Sequence, residues 1–392
     1  MCSQNIETAI HTMEESICFL ITTPDAQPEL YDTLHTLAAR LGARLGIPSP
    51  EPDTNLPYLL DLSQWIGYAR AFALQQTPLP PASHSSVYLD HLFVNLMEQV
   101  KRQSSAALEQ QMSRAFLSLK PEIRSILVDY VHRFPFWGDL RLDSGTGSMV
   151  TERAQCLKEH REDFLWLYDR LADYRSRFSL LAVLNQWLFY DSLLLGKAKE
   201  TIFEDYFDLD LPLLGDPQAV IADVGAFTGD TALAFQKVYG SCKKLYCYEV
   251  DPANCEKARK TLQTIPFAEL RQKAVSAANG TIYLNVNSSD ASASRTSSQG
   301  SVPIEAVTLD SDIPEPLSLI KMDIEGGEQE ALAGCERHIR EDRCQLAISV
   351  YHGNQDLWKI PRMIERFRSD YQFFLRYNGG NLFPTELIFF AL

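Results

Sequence analysis

No stretch of the 392-residue chain approaches the roughly 18 consecutive apolar residues of a bilayer-spanning helix, so no membrane span is expected. The opening MCSQNIETAIHTMEES has neither a basic n-region nor an apolar core, and no signal peptide is expected. Positive charge is short: 36 Lys and Arg against 51 Asp and Glu leave a formal charge of −15. Without a basic run or face, a nucleic acid is excluded as the expected partner. Cysteine pairs are missing too. The eight cysteines are scattered with no C-x-x-C, which reads as reduced thiols of a cytoplasmic protein and excludes a disulfide frame or zinc site. The eight histidines are equally dispersed, so no structural metal is assigned. Oligomeric state is not legible, and a homo-oligomer stays open.

What remains is an ordinary globular composition, 45% hydrophobic and 22% charged, in a chain longer than one usual domain. Residues 1–150 read as a helical N-terminal domain of unassigned role. Leu30, Leu34, Leu37, Ala38 and Leu41 recur at helical spacing, as do Leu89, Leu92, Phe93, Leu96 and Val100. Proline-rich breaks separate these pieces, and the Ser/Gly-rich run Asp143–Ser148 marks the boundary. Residues 151–215 form a helical preface, with Phe164, Leu167 and Leu171 and then Leu180, Leu184 and Leu188 in helical register. Residues 216–392 alternate strand and helix, the pattern of an α/β domain on a mostly parallel sheet.

That domain opens on AVIADVGAFTGDT, Ala219 to Thr231. A short buried strand passes through Asp223-x-Gly225-x-x-x-Gly229 into an amphipathic helix. A strand entering a helix through glycines leaves backbone N–H groups facing the end of the sheet, the usual seat of a nucleotide. The third glycine of the dinucleotide fingerprint is missing, which counts against the first rival reading, an NAD-dependent oxidoreductase. A second strand over Lys244–Tyr248 ends on Glu249, before a helix started by Pro252. An acid there accepts hydrogen bonds from both ribose hydroxyls. The pair resembles the S-adenosylmethionine site of class I methyltransferases.

Further strands are expected over Glu269–Val275, Thr281–Val286, Leu317–Met322 and Cys344–His352, with a closing antiparallel pair at Tyr371–Arg376 and Glu386–Leu392. Between them, the serine-rich stretch 287–301 is a linker or a lid, and only the lid would turn Ser294 and Arg295 toward a substrate. Asp223, Glu249, Asp323, Glu325 and His352 all fall at C-terminal strand ends, which converge on one edge of a parallel sheet. Glu328 reads as a solvated or helix-capping acid. If the chemistry is methyl transfer to a hydroxyl, holding two reactants in line supplies most of the acceleration. A base near the hydroxyl adds to it, and His352 is the candidate. Asp323 and Glu325 orient His352, position the hydroxyl, or hold a divalent cation; these roles stay open.

The blocks IADVGAFTGDTALAF, CYEVDPANCEKA, VTLDSDIP, LIKMDIEGGEQEALAG, AISVYHGNQDLWKIP and YQFFLRYN…TELIFFAL resemble the FkbM-type methyltransferases. That family is named for O-methylation of a polyketide and includes enzymes resembling sugar O-methyltransferases. The resemblance runs from about Glu200 to Leu392. It implies a seven-stranded class I fold and an S-adenosylmethionine-dependent O-methyltransferase acting on a sugar, glycan or polyketide-like hydroxyl. It implies that Asp223, Gly225, Ala226, Phe227, Gly229, Asp230 and Thr231, with Glu249 and Val250, bind the cofactor. Asp323, Glu325 and His352 would face the acceptor. One departure is Leu375-Arg376-Tyr377-Asn378, where many members carry Leu-Arg-His-Tyr. The second rival is a binding protein that kept the fold without catalysis; the retained acids and His352 count against it.

Overall fold

Strand β1 (Val220–Val224) is buried at all five positions, as a strand covered on both faces of a parallel sheet must be. The computed structural model describes residues 10, 12–17, 19–20, 28–45, 49–54, 58–59, 61–63, 65–66, 87–134, 137–141, 149–203, 205–208, 210–211, 216–285, 295–297 and 302–392. β1 pairs in parallel with β2 (Lys244–Tyr248), which pairs with β3 (Ala268–Arg271). On its other side lies β8 (Leu319–Met322), then β9 (Gln345–Ser349), both parallel. β11 (Leu387–Ala391) runs antiparallel to β9 and to the edge strand β10 (Phe373–Tyr377). The order is β10-β11-β9-β8-β1-β2-β3, the seven-stranded class I sheet with its antiparallel C-terminal strand. The chain leaves β1 in one direction for β2 and β3, and later returns on the other side for β8. The crevice at that reversal is where ligands bind in open sheets.

A second, four-stranded sheet stands between β3 and β8 in sequence, in the order β4-β7-β5-β6. It consists of β4 (Ala274–Val275), β5 (Gly280–Asn285), β6 (Arg295–Ser297) and β7 (Val302–Val307). The single strand expected over Glu269–Val275 is thus two pieces in two sheets, since Ala268–Arg271 pairs with β2 and Ala274–Val275 with β7. β7 was not legible because Pro303 argues against a sheet interior. Its register resolves the conflict: β4 reaches only Ala306 and Val307, so at Pro303 the strand is an edge on that side. Of the serine-rich stretch 287–301, only β6 is described, and Ser294 lies outside the described residues.

The helices are α1 (Pro28–Leu45), α2 (Val87–Arg102), α3 (Ser105–Ser118), α4 (Pro121–Arg133), α5 (Met149–Glu159), α6 (Arg161–Arg170), α7 (Tyr174–Phe189) and α8 (Ser192–Ala198). Those of the α/β part are α9 (Asp230–Tyr239), α10 (Pro252–Leu262), α11 (Leu309–Asp312), α12 (Glu328–Ala333) and α13 (Asp356–Phe367). α10 starts as the sequence predicts. Pro252 occupies its first turn, and the Asp251 carboxylate accepts from the N–H groups of Ala253 and Asn254 at 2.8 and 3.1 Å. By backbone packing the chain divides into Met1–Gln99 and Val100–Leu392. The smaller unit has its own apolar core, with Leu34, Ala38, Leu62 and Ile66 in it. In the larger, α3 packs on α5 and α7, and Phe116 lies 5.4 Å from the Tyr190 ring. The run Asp143–Ser148 lies outside the described residues. Among those described, no helix is long and apolar enough to cross a membrane.

Candidate active site

The loop after β1 is held from three sides. The N–H groups of Gly225 and Ala226 both donate to the Tyr248 carbonyl, at 3.0 and 2.9 Å, which ties the loop to the end of β2. Gly225 has φ +85°, and a Cβ there would sit 1.8 Å from the carbonyl oxygen of Asp323. Only glycine lets the loop pass this close to the end of β8. Lys321, in β8, donates to the Gly225 carbonyl at 2.7 Å and lies 3.0 Å from the Asp223 carboxylate. Both side chains of that pair are buried. Burial pushes the Asp223 pKa up against the pull of Lys321, and Asp223 does not open onto the cavity described below. It anchors the lysine that pins the loop, a partner the sequence reading missed. Gly229, at φ +83°, then starts α9, and Phe227 at φ 46° holds a conformation costly for a side chain with a Cβ.

Glu249 follows β2 as expected. Its Oε1 accepts from the N–H groups of Val250 and Asp251, each at 2.8 Å, and the Phe227 N–H also bonds to the carboxylate. Burial raises its pKa, and these backbone donors oppose the rise. The carboxylate is therefore oriented before any ligand arrives. A cavity of about 1000 Å³ opens over the sheet edge, and Gly225, Phe227, Asp230, Thr231, Glu249 and Val250 line it. Ala226 and Gly229 shape the loop from behind. The second sheet adds Ala274, Val275 and Ile282 to the lining.

Across β1, toward β8 and β9, the same cavity is lined by Asp323, Glu325, Tyr351 and Glu386. His352 stands behind them, fully buried and not part of the lining. Its Nδ1 lies 2.8 Å from Glu328 Oε1, and its Nε2 is 3.5 Å from both Asp323 Oδ1 and Glu325 Oε2. Burial by itself would depress the imidazole pKa; the carboxylates of Glu328, Asp323 and Glu325 outweigh it and push it up to about 10. As placed, His352 braces two cavity-facing acids. Glu328 is wholly buried and also accepts from the Ile324 N–H at 2.8 Å. It is not the solvated acid that its position in the sequence suggests.

Tyr206 donates to Asp323 Oδ2 at 2.8 Å and lies 3.1 Å from Ser349 Oγ, whereas Asp323 Oδ1 is buried without a hydrogen bond. Burial pushes Glu325 up to about 8, with Asp323 adding to the rise and His352 opposing it. Burial and Asp323 push Glu386 up to about 7. Glu325 and Glu386 both sit at positive φ, the backbone cost that gathers at working sites. Glu386, Tyr206 and Lys321 carried no pattern by which sequence spacing could find them. The departure at Leu375–Asn378 points away from the cavity: Tyr377 is fully buried, with its hydroxyl on the carbonyls of Gly380 and Phe383.

Residues 223–376 match the family model described as Methyltransferase FkbM domain. The chain is similar to the 2-O-methyltransferase NoeI of Sinorhizobium fredii, 25% identical over 170 residues, which is 38% of this chain and 68% of that protein. It is also similar to the crystal structure of Methyltransferase FkbM from Methylobacillus flagellatus KT. There the TM-score is 0.54 at 25% identity, covering 64% of this chain and 63% of the other. The chain thus spans a little under two thirds of that relative's length.

Proposed function

We propose, from the premise that the chain carries a methyltransferase FkbM domain over residues 223–376, that it transfers a methyl group from S-adenosylmethionine to a hydroxyl of a sugar, glycan or polyketide-like acceptor. One observation carries this reading: a single cavity receives both the oriented Glu249 carboxylate and the acids Asp323 and Glu325. The residues present fit the cofactor, with glycine-bounded backbone on one side and an acceptor for ribose hydroxyls on the other. When bound, its sulfonium supplies a methyl already activated for in-line displacement. Gly225, Phe227 and Glu249 fix where that methyl lies. Asp323, which lines the cavity, accepts the acceptor hydroxyl and takes its proton, while Tyr206 and His352 hold the carboxylate in place.

A divalent cation also fits. One ligand atom each from Asp323, Glu325 and His352 lies within 4.8 Å of the others, and Glu328 on His352 Nδ1 is the outer carboxylate common behind metal-bound imidazoles. These three residues would hold the cation, which would lower the hydroxyl pKa. We place the protein in a reducing cytoplasm, in keeping with the six free, buried cysteines among the described residues.

Methyl-labelled S-adenosylmethionine and a panel of hydroxylated acceptors test the proposal. Label should enter an acceptor, and Asp323→Asn should abolish transfer while S-adenosylhomocysteine still binds. A chelator that stops transfer, with recovery on adding a divalent cation, would assign the cation; unchanged transfer would leave Asp323 acting alone. A folded wild-type protein that binds no S-adenosylhomocysteine would overturn the proposal.

A further inference from the structure

We infer that the acceptor-binding wall comes from outside the matched domain, from Tyr130, Phe134 and Trp137, and that it selects an uncharged, hydroxyl-bearing ring lying with its C–H face on these aromatics. The inference rests on the methyltransferase reading and deepens it. All three residues line the same cavity as Glu249 and Asp323, although they precede the matched segment 223–376. Tyr130 lies in the last turn of α4, Phe134 caps that helix, and Trp137 follows. The Tyr130 and Trp137 rings stack at 5.7 Å with 25° between planes, and Phe134 meets Trp137 at 5.1 Å.

The cluster is fixed to the sheet on the acceptor side of β1. Trp137 Nε1 donates to the Tyr351 carbonyl at 2.8 Å, next to His352. The Trp137 ring lies 4.6 Å from Phe383, just ahead of β11. Glu249 is on the other side, beyond β2, so a cofactor seated there leaves this wall for the second reactant. Trp137 is buried, whereas Tyr130 and Phe134 are half-buried.

The charges facing this wall decide what it admits. Asp205, Asp323, Glu325, Glu330 and Glu386 line the cavity. Among the described residues, the two lysines that line it are committed, Lys321 to Asp223 and Lys273 to Asp312 and Glu305, and no arginine is in the lining. A phosphate or carboxylate on the acceptor would meet this predominantly acidic lining. A neutral polyol finds acceptors for its hydroxyls, and the electron-rich ring faces attract its C–H groups. A volume near 1000 Å³ is at the top of the usual range for ligand pockets, so a ring fits beside a cofactor.

The test reads binding separately from turnover. Saturation-transfer NMR is run on the full chain loaded with S-adenosylhomocysteine, with a neutral methyl hexopyranoside, its uronic acid and its 6-phosphate as probes. Saturation should reach the C–H protons of the neutral probe and fall to background for both anions. Tyr130→Leu and Phe134→Leu keep apolar bulk but remove a ring. Each should weaken the neutral probe roughly 3- to 10-fold, the worth of one aromatic contact, with S-adenosylhomocysteine affinity unchanged. Equal saturation of the anions, or an unchanged neutral signal in both variants, would overturn the inference. So would loss of S-adenosylhomocysteine binding in both, which would make the wall purely structural. Failure of the wild type to bind S-adenosylhomocysteine would instead sink the methyltransferase reading.

Discussion

Replacing Glu249 is the sharpest test of the cofactor assignment, because its carboxylate is oriented by the protein before any ligand binds. Oε1 accepts from Val250 and Asp251 at 2.8 Å each, and the group is nearly buried at 8% exposure. Ribose hydroxyls would therefore meet an acceptor whose ordering cost folding has already met. Hydrogen bonds to a charged group contribute about 1.5–3 kcal/mol. At about 1.4 kcal/mol per decade, Glu249→Ala should weaken S-adenosylhomocysteine roughly 10- to 150-fold. Glu249→Gln should fall between the two, since the amide keeps one acceptor oxygen but sets an N–H₂ toward backbone donors. Isothermal titration calorimetry reads both values, and circular dichroism confirms that the variants are folded. A folded Glu249→Ala protein within about twofold of wild type, a difference well under 1 kcal/mol, would refute the ribose assignment.

Two further outcomes concern the scaffold. Arg376, 2% exposed, bonds to the buried Asp208, to Ser176 Oγ at 2.8 Å and to Asp173 Oδ2 at 2.6 Å, which locks β10 onto the start of α7. Arg376→Met leaves the Asp208 carboxylate with Arg175 at 3.3 Å and the Asp210 N–H at 2.9 Å and should cost about 3–5 kcal/mol in urea unfolding, part of it recovered by adding Asp208→Asn; a loss near zero would refute the account. Burial works to raise the Asp173 pKa, but the Arg376 and Ser176 hydrogen bonds hold it below its ordinary 3.8. The stability from this pair should therefore be complete at neutral pH and fade as pH falls through that depressed value, with Arg376→Met flattening the acid limb. As for the division expected near residue 150, α3 packs on α5 and α7 and Trp137 packs on Phe383, so a C-terminal fragment beginning at Met149 should fail to fold by circular dichroism; a folded fragment that binds S-adenosylhomocysteine as the full chain does would refute this.

The sequence by itself determined the β1 loop and the tip of β2. Asp223, Gly225, Gly229 and Glu249 lie within some 27 residues, and their spacing follows from local geometry: a buried strand, a positive-φ turn, a helix start. It also determined that Asp323, Glu325 and His352 would gather, because parallel strands deliver their C-terminal ends to one edge whatever lies between them. Convergence is a property of the topology; orientation is not. That Asp223 turns inward to Lys321, in a strand 98 positions further on, and that His352 faces Glu328, 24 positions before it, from behind the cavity, depends on packing between separate elements. Glu328 shows the limit most clearly. In sequence it is one more acid at a helix start, and only the fold around it makes it a buried partner of His352. The aromatic wall was out of reach for the same reason. Tyr130, Phe134 and Trp137 sit at the end of an ordinary helix, and nothing local ties them to a sheet that begins some ninety residues later. Tertiary structure decided their role, because burial and ring contacts are set by which surfaces meet, a long-range property that no window of residues contains.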